Sequence, residues 1–115
     1  MSLRDEKHVE TAEDLERLLL SEPQSSLLWI RYMALFLSAA DVDAARRVAE
    51  RALQSVGFRH EDEKFNVWVA YLNLEHKFGS MDTLEGVFGR AIQESKVVIT
   101  QILDLLLISF SLDIH

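Results

Sequence analysis

The sequence predicts an all-α fold: an α-α superhelix, or solenoid, of about two helical-hairpin repeats with flanking helices. The stretches "SSLLWIRYMALFL" (Ser25–Leu37) and "FNVWVAYLNLEHKFG" (Phe65–Gly79) each carry a Trp, a Tyr three positions on and a Leu six positions on, at a common offset of 39 residues. A period near forty is typical of helical and propeller repeats. The single Pro and four Gly leave few turn residues for an all-β fold.

The apolar spacing within the repeat distinguishes a helix from a strand. Trp29, Tyr32, Met33 and Phe36 recur at i, i+3, i+4 and i+7, which places them on one helix face. The offset of 39 also holds beyond this helix, and the identical pairs are Trp29/Trp68, Tyr32/Tyr71, Leu35/Leu74, Asp43/Asp82, Val48/Val87, Arg51/Arg90 and Ala52/Ala91. Each repeat is therefore predicted to pair an aromatic helix A with a helix B that carries Arg-Ala. Neither hairpin can bury its apolar face alone, so stacking is expected to stabilise both.

Composition restricts the class of protein. The 115 residues are 49% hydrophobic and 27% charged, as in one globular domain. No Cys is present, which excludes disulfides and thiolate metal sites and suits a reducing compartment. The formal net charge of −7 disfavours a protein that binds nucleic acid mainly through phosphates. The charged start, "MSLRDEKHVE", does not resemble a secretory signal peptide.

Capping residues divide the first half of the chain into helices. Thr11–Asp14 is a capping-box pattern that opens a helix through about Leu20, which Pro23 stops. Ser25 or Ser26 caps the next helix, which is predicted to reach about Ala39.

The second half is divided in the same way. Asp41 caps a third helix that ends near Val56, with Gly57 expected in a left-handed C-terminal turn. A polar connector, residues 59–64, leads to a fourth helix that Gly79 stops, and Ser80 caps a fifth helix through about Glu94.

The motif residues resemble the HAT (half-a-tetratricopeptide) repeat. The matching positions are Trp29-x-x-Tyr32 with Glu50-Arg51-Ala52, and Trp68-x-x-Tyr71-x-x-x-Glu75 with Arg90-Ala91. The second repeat reads Gly89-Arg90-Ala91 instead of Glu-Arg-Ala, and Gly86 lies in the same helix. Since interior glycines cost roughly 1 kcal/mol each against Ala, this helix B is expected to be less stable than its counterpart.

Longer strings carry a closer resemblance. Residues 11–94, connectors included, are similar to the C-terminal HAT region of a family of large ribosomal-RNA biogenesis proteins, which join OB-fold RNA-binding domains to a HAT array. The resemblance implies a non-catalytic scaffold that binds other ribosome-biogenesis proteins in the nucleus and nucleolus and acts in pre-rRNA processing towards small-subunit rRNA. Three regions are predicted. A polar segment covers residues 1–10, and a HAT domain covers residues 11–96, with repeats at about 25–56 and 64–95. An apolar C-terminal helix covers residues 97–115.

The sequence is also compatible with two other functions. One is a HAT scaffold in pre-mRNA splicing or mRNA 3′-end processing, and the other is a direct RNA-binding module. The paired Trp and Tyr residues could stack on bases, but their apolar neighbours favour a core role. Arg46 and Arg47 do not recur at the offset of 39 and are the candidates for contact with an anionic partner. Arg51 recurs as Arg90, which favours a structural role such as pairing with Glu75 or with a helix carbonyl.

No residue pattern supports catalysis, a metal or a cofactor. His8, His60, His76 and His115 form no i, i+4 pair, and no thiolate is available to complete a metal site. A nucleophile elbow and a Gly-rich phosphate loop are both missing from the sequence.

The tail after Lys96 departs from the family. Residues 97–110 are strongly apolar but are interrupted by Gln101 and Asp104 and fall short of the roughly 20 residues needed to span a membrane. We expect residues 101–110 to form a helix that packs on helix B of repeat two, against Val87 and Ile92. Its stripe comprises Ile102, Leu103, Leu106, Leu107 and Phe110. Because apolar residues also lie beside the stripe, a homodimer through this helix is predicted.

Overall fold

The computed structural model describes residues 10–94 and 96–114, which form six helices and no strands. Their bounds are α1 Ala12–Ser21, α2 Ser26–Ser38, α3 Val42–Ser55, α4 Glu61–Phe78, α5 Met81–Glu94 and α6 Lys96–Ile114. The predicted all-α class is confirmed.

The helices pack in an order that repeats. Helices α2 and α3 form hairpin 1, α4 and α5 form hairpin 2, and the two hairpins meet through contacts of α4 with α3 and α2. The flanking helices continue the pattern, because α1 packs on α2 while α6 contacts α5 and α4. Helix α1 thus lies where the helix B of a preceding hairpin would lie, and α6 where the helix A of a following hairpin would lie.

The predicted N-terminal caps are present. The Asp14 N–H donates to Thr11 Oγ1 at 3.2 Å and the Thr11 N–H donates to Asp14 Oδ2 at 3.0 Å, which completes the capping box of α1. The hydroxyl of Ser25, the carboxylate of Asp41 and the hydroxyl of Ser80 accept backbone N–H groups at the starts of α2, α3 and α5. Side chains therefore satisfy backbone donors that have no partner within the helix.

The predicted left-handed backbone conformation at Gly57 is absent, and Ala40 adopts that conformation instead. Gly57 does not have a positive φ, and its N–H donates to the side-chain oxygen of Gln24 at 2.8 Å instead of joining a helix C-terminal motif. Ala40 has a φ of 60°, at the end of α2. The Asp41 N–H donates to the Phe36 carbonyl at 2.9 Å, which forms a Schellman-type end despite the unfavourable φ for Ala.

The predicted connector at residues 59–64 is shorter than expected, because α4 already begins at Glu61. Three acidic residues, Glu61, Asp62 and Glu63, occupy the first turn of α4, where the helix dipole favours negative charge. Glu63 Oε1 also accepts the Ser26 N–H at 2.7 Å, so this turn anchors the start of α2.

The repeated aromatics lie in the core, as predicted. Trp29 is 2% exposed and Trp68 is 0% exposed, and both tyrosines are buried. Fully buried alanines of α3 and α5, among them Ala52 and Ala91, allow the helices to approach these rings closely. Because their ring faces are covered, the four aromatics act as core residues and not as stacking surfaces for bases.

The tail is helical, but most of its predicted stripe does not pack. Ile102 is half-buried against the core, whereas Leu103, Leu106 and Leu107 are exposed, so their predicted packing on helix B of repeat two is wrong. Phe110 lies outside the residues whose side chains are described. The physical reason is that the described residues include no helix B after α6, so only one flank of α6 is covered. None of the helices in the described part of the chain combines the length and apolar character that a bilayer crossing requires.

Candidate functional site

A cluster of Glu, Tyr and Arg joins α1 to hairpin 1. The Tyr32 hydroxyl donates to Glu16 Oε2 at 2.6 Å, and the Arg51 guanidinium donates to the two Glu16 carboxylate oxygens at 2.6 and 2.9 Å. Such a bidentate pair constrains geometry more than a single ion pair does. We call Glu16, Tyr32 and Arg51 the first Glu–Tyr–Arg cluster.

The same arrangement joins hairpin 1 to hairpin 2. Glu50 Oε2 accepts the Tyr71 hydroxyl at 2.7 Å, and the Arg90 guanidinium donates to the two Glu50 oxygens at 2.7 and 2.9 Å. Glu50, Tyr71 and Arg90 form the second Glu–Tyr–Arg cluster. In both clusters the Glu comes from the preceding helix B, and the Tyr and Arg come from one hairpin.

Each arginine also covers the aromatic residues of its own hairpin. The Arg51 guanidinium carbon lies 5.3 Å from the Trp29 ring centroid and 5.9 Å from that of Tyr32, and the Arg90 carbon lies 5.6 Å from that of Trp68. Cation–π contacts of this kind contribute on the order of 0.5–1 kcal/mol at exposed sites. The recurring Arg-Ala motif therefore closes the hairpin and links it to its neighbour.

The clusters keep their glutamates ionised and their tyrosines protonated. Hydrogen bonds from Arg51, and then from Tyr32, lower the pKa of Glu16 to about 2. Arg90 lowers the pKa of Glu50 in the same way. Burial is the first cause that raises the pKa values of Tyr32 and Tyr71, and the neighbouring carboxylates raise them further. These groups hold fixed charges near neutral pH, which suits a structural role.

The two clusters assign a role to the Glu-Arg dipeptide of helix B. Glu50 binds the following hairpin, while Arg51 binds the preceding helix. Helix α1 has the same dipeptide, but its Arg17 is 70% exposed and pairs with Asp14 of its own helix at 3.3 Å. Sequence reasoning missed Glu16, although the Glu16-Arg17 dipeptide in "DLERLL" was the available signal.

A buried ion pair provides a second link between the hairpins. Arg46 Nε and one Nη donate to the Glu75 oxygens at 2.8 and 3.0 Å, and Arg46 also binds Asp43 at 3.1 Å. The Glu75 side chain is 2% exposed, and the bonds from Arg46 lower its pKa. The expected pairing of Arg51 with Glu75 is therefore wrong, because Arg46 takes that place and Arg51 binds Glu16.

The arginines predicted to contact an anionic partner differ in their surroundings. Arg46 is engaged with two carboxylates of its own chain, whereas Arg47 points to solvent on the same helix. Contact with an anionic partner stays a prediction for both residues.

Gly79 is required by the environment of Glu75. A Cβ at position 79 would overlap Glu75 Oε1 and Thr83 Oγ1, and it would lie 2.9 Å from the Glu75 carbonyl oxygen. The glycine that ends α4 thus makes room for the buried carboxylate as well as stopping the helix.

An apolar groove runs between α2 and α4, the two helices A. Its volume is about 320 Å³, and residues along it include Ile30, Ala34, Leu37, Ala70, Lys77 and Phe78. The buried side chains of Met33 and Leu74 also line it. A groove with mostly apolar walls and one cationic side chain suits a polypeptide segment better than a polar small molecule.

Within residues 10–94 and 96–114, His, Asp and Glu form no group of three or more that could hold a metal ion.

A family model and several curated relatives match the chain. The profile of the family described as "Pre-mRNA-splicing factor Syf1/CRNKL1 C-terminal HAT repeat" matches residues 20–107. "Protein RRP5 homolog" of Homo sapiens is 56% identical over 84 residues, which cover 73% of this chain and 4% of that protein.

Relatives from plants and fungi give similar values. "rRNA biogenesis protein RRP5" of Arabidopsis thaliana is 49% identical over 86 residues, which are 73% of this chain and 4% of the relative. "rRNA biogenesis protein rrp5" of Schizosaccharomyces pombe is 54% identical over 81 residues, which are 70% of this chain and 5% of the relative. The chain therefore spans only a small part of the length of these relatives. It belongs to the HAT-repeat family and contains an RRP5-like HAT region.

Proposed function

We propose that the chain is a non-catalytic protein-interaction scaffold of ribosome biogenesis that acts in pre-rRNA processing towards small-subunit rRNA, in the nucleus and nucleolus. The observation that carries this proposal is the 56% identity over 84 residues to a protein named as an RRP5 homolog. The partners are other ribosome-biogenesis proteins, as expected for a module whose relatives are named for rRNA biogenesis.

The groove between α2 and α4 supplies the physical basis for a scaffold. The second Glu–Tyr–Arg cluster and the Arg46–Glu75 pair join hairpin 1 to hairpin 2, so the spacing of α2 and α4 is held before a partner arrives. A preformed apolar groove reduces the ordering cost of binding, and Lys77 at its edge offers a charge to a partner carboxylate.

Direct RNA binding has less support. The net charge is −7, and the guanidiniums of Arg46, Arg51 and Arg90 are paired with carboxylates of the chain. The excess of acidic residues repels phosphate groups, so RNA affinity is expected to be weak and to depend only shallowly on salt. A steep salt dependence in filter binding with a pre-rRNA fragment would favour the RNA-binding alternative.

The splicing alternative rests on the shared HAT fold, and the family that matches the chain includes pre-mRNA-splicing factors in its description. The HAT repeat is a structural motif that describes how helices pack. The repeat type alone therefore does not indicate the pathway in which a protein acts. The identity to rRNA biogenesis proteins extends over most of the chain and includes its connectors. Pre-rRNA processing is therefore the better-supported pathway.

The test is affinity purification of the tagged chain from nuclear extract, with small-subunit pre-rRNA and the co-purified proteins both quantified. Ala34→Glu places a carboxylate in the apolar groove. The matched control is Leu20→Glu on helix α1, where the side chain is 85% exposed and does not line the groove. We expect the parent chain and Leu20→Glu to enrich ribosome-biogenesis proteins and small-subunit pre-rRNA, and Ala34→Glu to lose most of that enrichment.

Two results would overturn the proposal. Enrichment of spliceosomal or 3′-end-processing proteins instead of ribosome-biogenesis proteins would reject the pathway. Full retention of partners by Ala34→Glu would reject the groove as the binding surface. Repeating the purification after ribonuclease treatment separates protein contacts from those that depend on RNA.

A further inference from the structure

Helices α2 and α4 run in the same direction on either side of the apolar groove. At their starts, the Asn66 side-chain amide donates to Ser26 Oγ at 3.1 Å, and Glu63 Oε1 accepts the Ser26 N–H at 2.7 Å. At their ends, Leu37 and Phe78 line the groove together. The two helix starts therefore lie side by side, and so do the two helix ends.

The lining of the groove carries positive but no negative charge. Two of the lining side chains are polar, the amide of Asn73 and the ammonium group of Lys77, and the others are apolar. The sequence has 19 Asp and Glu residues, yet none of the described carboxylates lines the groove. Within residues 10–94 and 96–114, no carboxylate lies at ion-pair distance from Lys77. A cation beside an apolar surface complements a partner that carries a carboxylate next to apolar side chains.

The scarcity of polar groups along the groove determines which conformation of a partner segment fits. An extended segment brings one backbone N–H and one C=O group per residue, and these groups need hydrogen-bond partners when they are buried. Among the lining residues, only Asn73 and Lys77 have side chains that can supply them, because the backbones of α2 and α4 bond within their own helices. A helical segment satisfies its own backbone and presents only side chains to the groove. A helix therefore fits better than an extended segment.

The length of the groove matches about two turns of such a helix. The lining residues extend from Ile30 to Leu37 on α2 and from Ala70 to Phe78 on α4. At a rise of about 1.5 Å per residue, these stretches measure about 10 Å and 12 Å. A partner helix of this length presents three apolar side chains on one face, at i, i+3 or i+4, and i+7.

Helix dipoles favour one direction for the partner helix. The C-terminal ends of α2 and α4 lie at the end of the groove that holds Lys77, and such ends carry partial negative charge. An antiparallel partner places its N-terminal end, which carries partial positive charge, at the same position. The first turn of a helix also favours Asp and Glu. An acidic first turn of the partner would therefore lie beside the ammonium group of Lys77, which attracts it.

We propose that this groove binds an amphipathic α-helix of a partner protein, antiparallel to α2 and α4, with an Asp or Glu of its first turn paired to Lys77. This binding mode rests on the proposed function, in which the groove is the binding surface of the scaffold. The conformation, the direction and the charge of the partner segment go beyond that function.

The first test is selection from a displayed library of fully randomised peptides of about 15 residues, with the purified full chain as the target. Peptides are kept if they bind the parent and Leu20→Glu but not Ala34→Glu, so that each retained peptide depends on the groove. Thermal melts of both variants check that they fold. We expect the retained peptides to carry apolar residues at i, i+3 or i+4, and i+7, with Asp or Glu in the first turn and no Pro inside.

The second test reverses the charge of Lys77. Lys77→Glu should weaken the binding of a retained peptide about tenfold in fluorescence anisotropy, because two carboxylates would then face each other. Replacing the acidic residue of the peptide by Lys should restore its binding to Lys77→Glu. Arg47→Glu makes the same change of charge on α3, outside the lining of the groove, and should change the affinity by less than about twofold. Moving the acidic residue of the peptide to its last turn should weaken binding to the parent.

The failures of this proposal and of the proposed function can be distinguished. Retained peptides with internal Pro or with a basic first turn, or full tolerance of Lys77→Glu, would leave the groove as a binding surface but overturn the acidic helix as its occupant. Self-association of the parent that Ala34→Glu abolishes in sedimentation velocity would make a second copy of the chain the occupant, which also overturns the proposal. A selection without any peptide that depends on the groove would reject the groove itself, and with it the binding surface of the scaffold. The pathway is decided separately, by the purification from nuclear extract.

Discussion

The junction between the two hairpins and the junction between hairpin 2 and α6 occupy equivalent places in the repeat, yet they are built differently. The first contains a Glu–Tyr–Arg cluster, a buried ion pair and a fully buried Trp. At the second, Gly89 stands where Glu50 would be and Leu107 where Trp68 would be. The difference teaches that apolar residues at repeat spacing form a helix, but a closed junction also needs the following helix B and the polar groups that align it.

The largest expected contrast is between Trp68 and Leu107, which share a place in the repeat. Trp68→Ala should lower the free energy of unfolding by about 3–5 kcal/mol, because it leaves a cavity in the core. Leu107→Ala should change it by less than about 0.5 kcal/mol, because the Leu107 side chain is 63% exposed. Denaturant melts of both variants provide the measurement, and a Trp68→Ala loss below about 1 kcal/mol would contradict the packing described.

A second contrast concerns adjacent arginines on α3. Arg46→Ala would leave the Glu75 carboxylate buried without its partner, so we expect a loss of about 3 kcal/mol. Arg47→Ala removes an exposed cation of the same type and should stay within about 0.5 kcal/mol. Equal losses in urea melts would show that the buried pair does not hold the junction.

Acid should destabilise the first Glu–Tyr–Arg cluster. The pKa of Glu16 is about 2 in the folded chain against an ordinary 4.5. The contribution of Glu16 to folding stability is therefore fully present above about pH 4.5 and is lost as the pH falls towards 2. Thermal melts between these pH values should therefore show a smaller decline for Glu16→Gln than for the parent. An identical decline in the two proteins would mean that the first cluster does not contribute to acid sensitivity.

Helix α5 contains Gly86 and Gly89, whereas α3 has Arg47 and Glu50 at the equivalent positions. The expected effect of these glycines on stability is smaller than those above. Neither Gly86 nor Gly89 has a neighbour within 4 Å of an added Cβ, so Gly89→Ala should stabilise by roughly 0.5–1 kcal/mol. Hydrogen exchange should be faster across 86–92 than across 47–53 in the parent, and Gly89→Ala should reduce the difference. Equal protection in the parent would show that packing overrides helix propensity in α5.

Much of the fold was predictable from the sequence because its signals are local. The spacing of Trp29 and Tyr32 predicted a core-facing helix, and the caps at Thr11, Ser25 and Asp41 predicted helix starts to within a residue or two. The left-handed Ala40 was not predictable, since its conformation is imposed by two backbone hydrogen bonds and Ala gives no signal for it.

The links between helices were less accessible to sequence reasoning. The recurrence of Arg51 as Arg90 indicated a structural role, but the partner depends on how the hairpins stack. Glu16 recurs as Glu50 at a spacing of 34 instead of 39, because the loop regions differ, so the fixed offset did not reveal it. Helix α6 is exposed because no helix among the described residues covers it. The sequence of α6 itself does not indicate whether another helix will pack on it.

The central claim is that each Glu–Tyr–Arg cluster couples neighbouring repeats, and a double-mutant cycle between Glu50 and Arg90 tests it most directly. Urea melts of Glu50→Gln, Arg90→Gln and the double variant should give a favourable coupling of about 0.5–1 kcal/mol across the junction. Arg51 is next to Glu50 in sequence but binds Glu16, so the cycle of Glu50→Gln with Arg51→Gln should give less than about 0.3 kcal/mol. Zero coupling between Glu50 and Arg90, or equal coupling in the two cycles, would contradict the account.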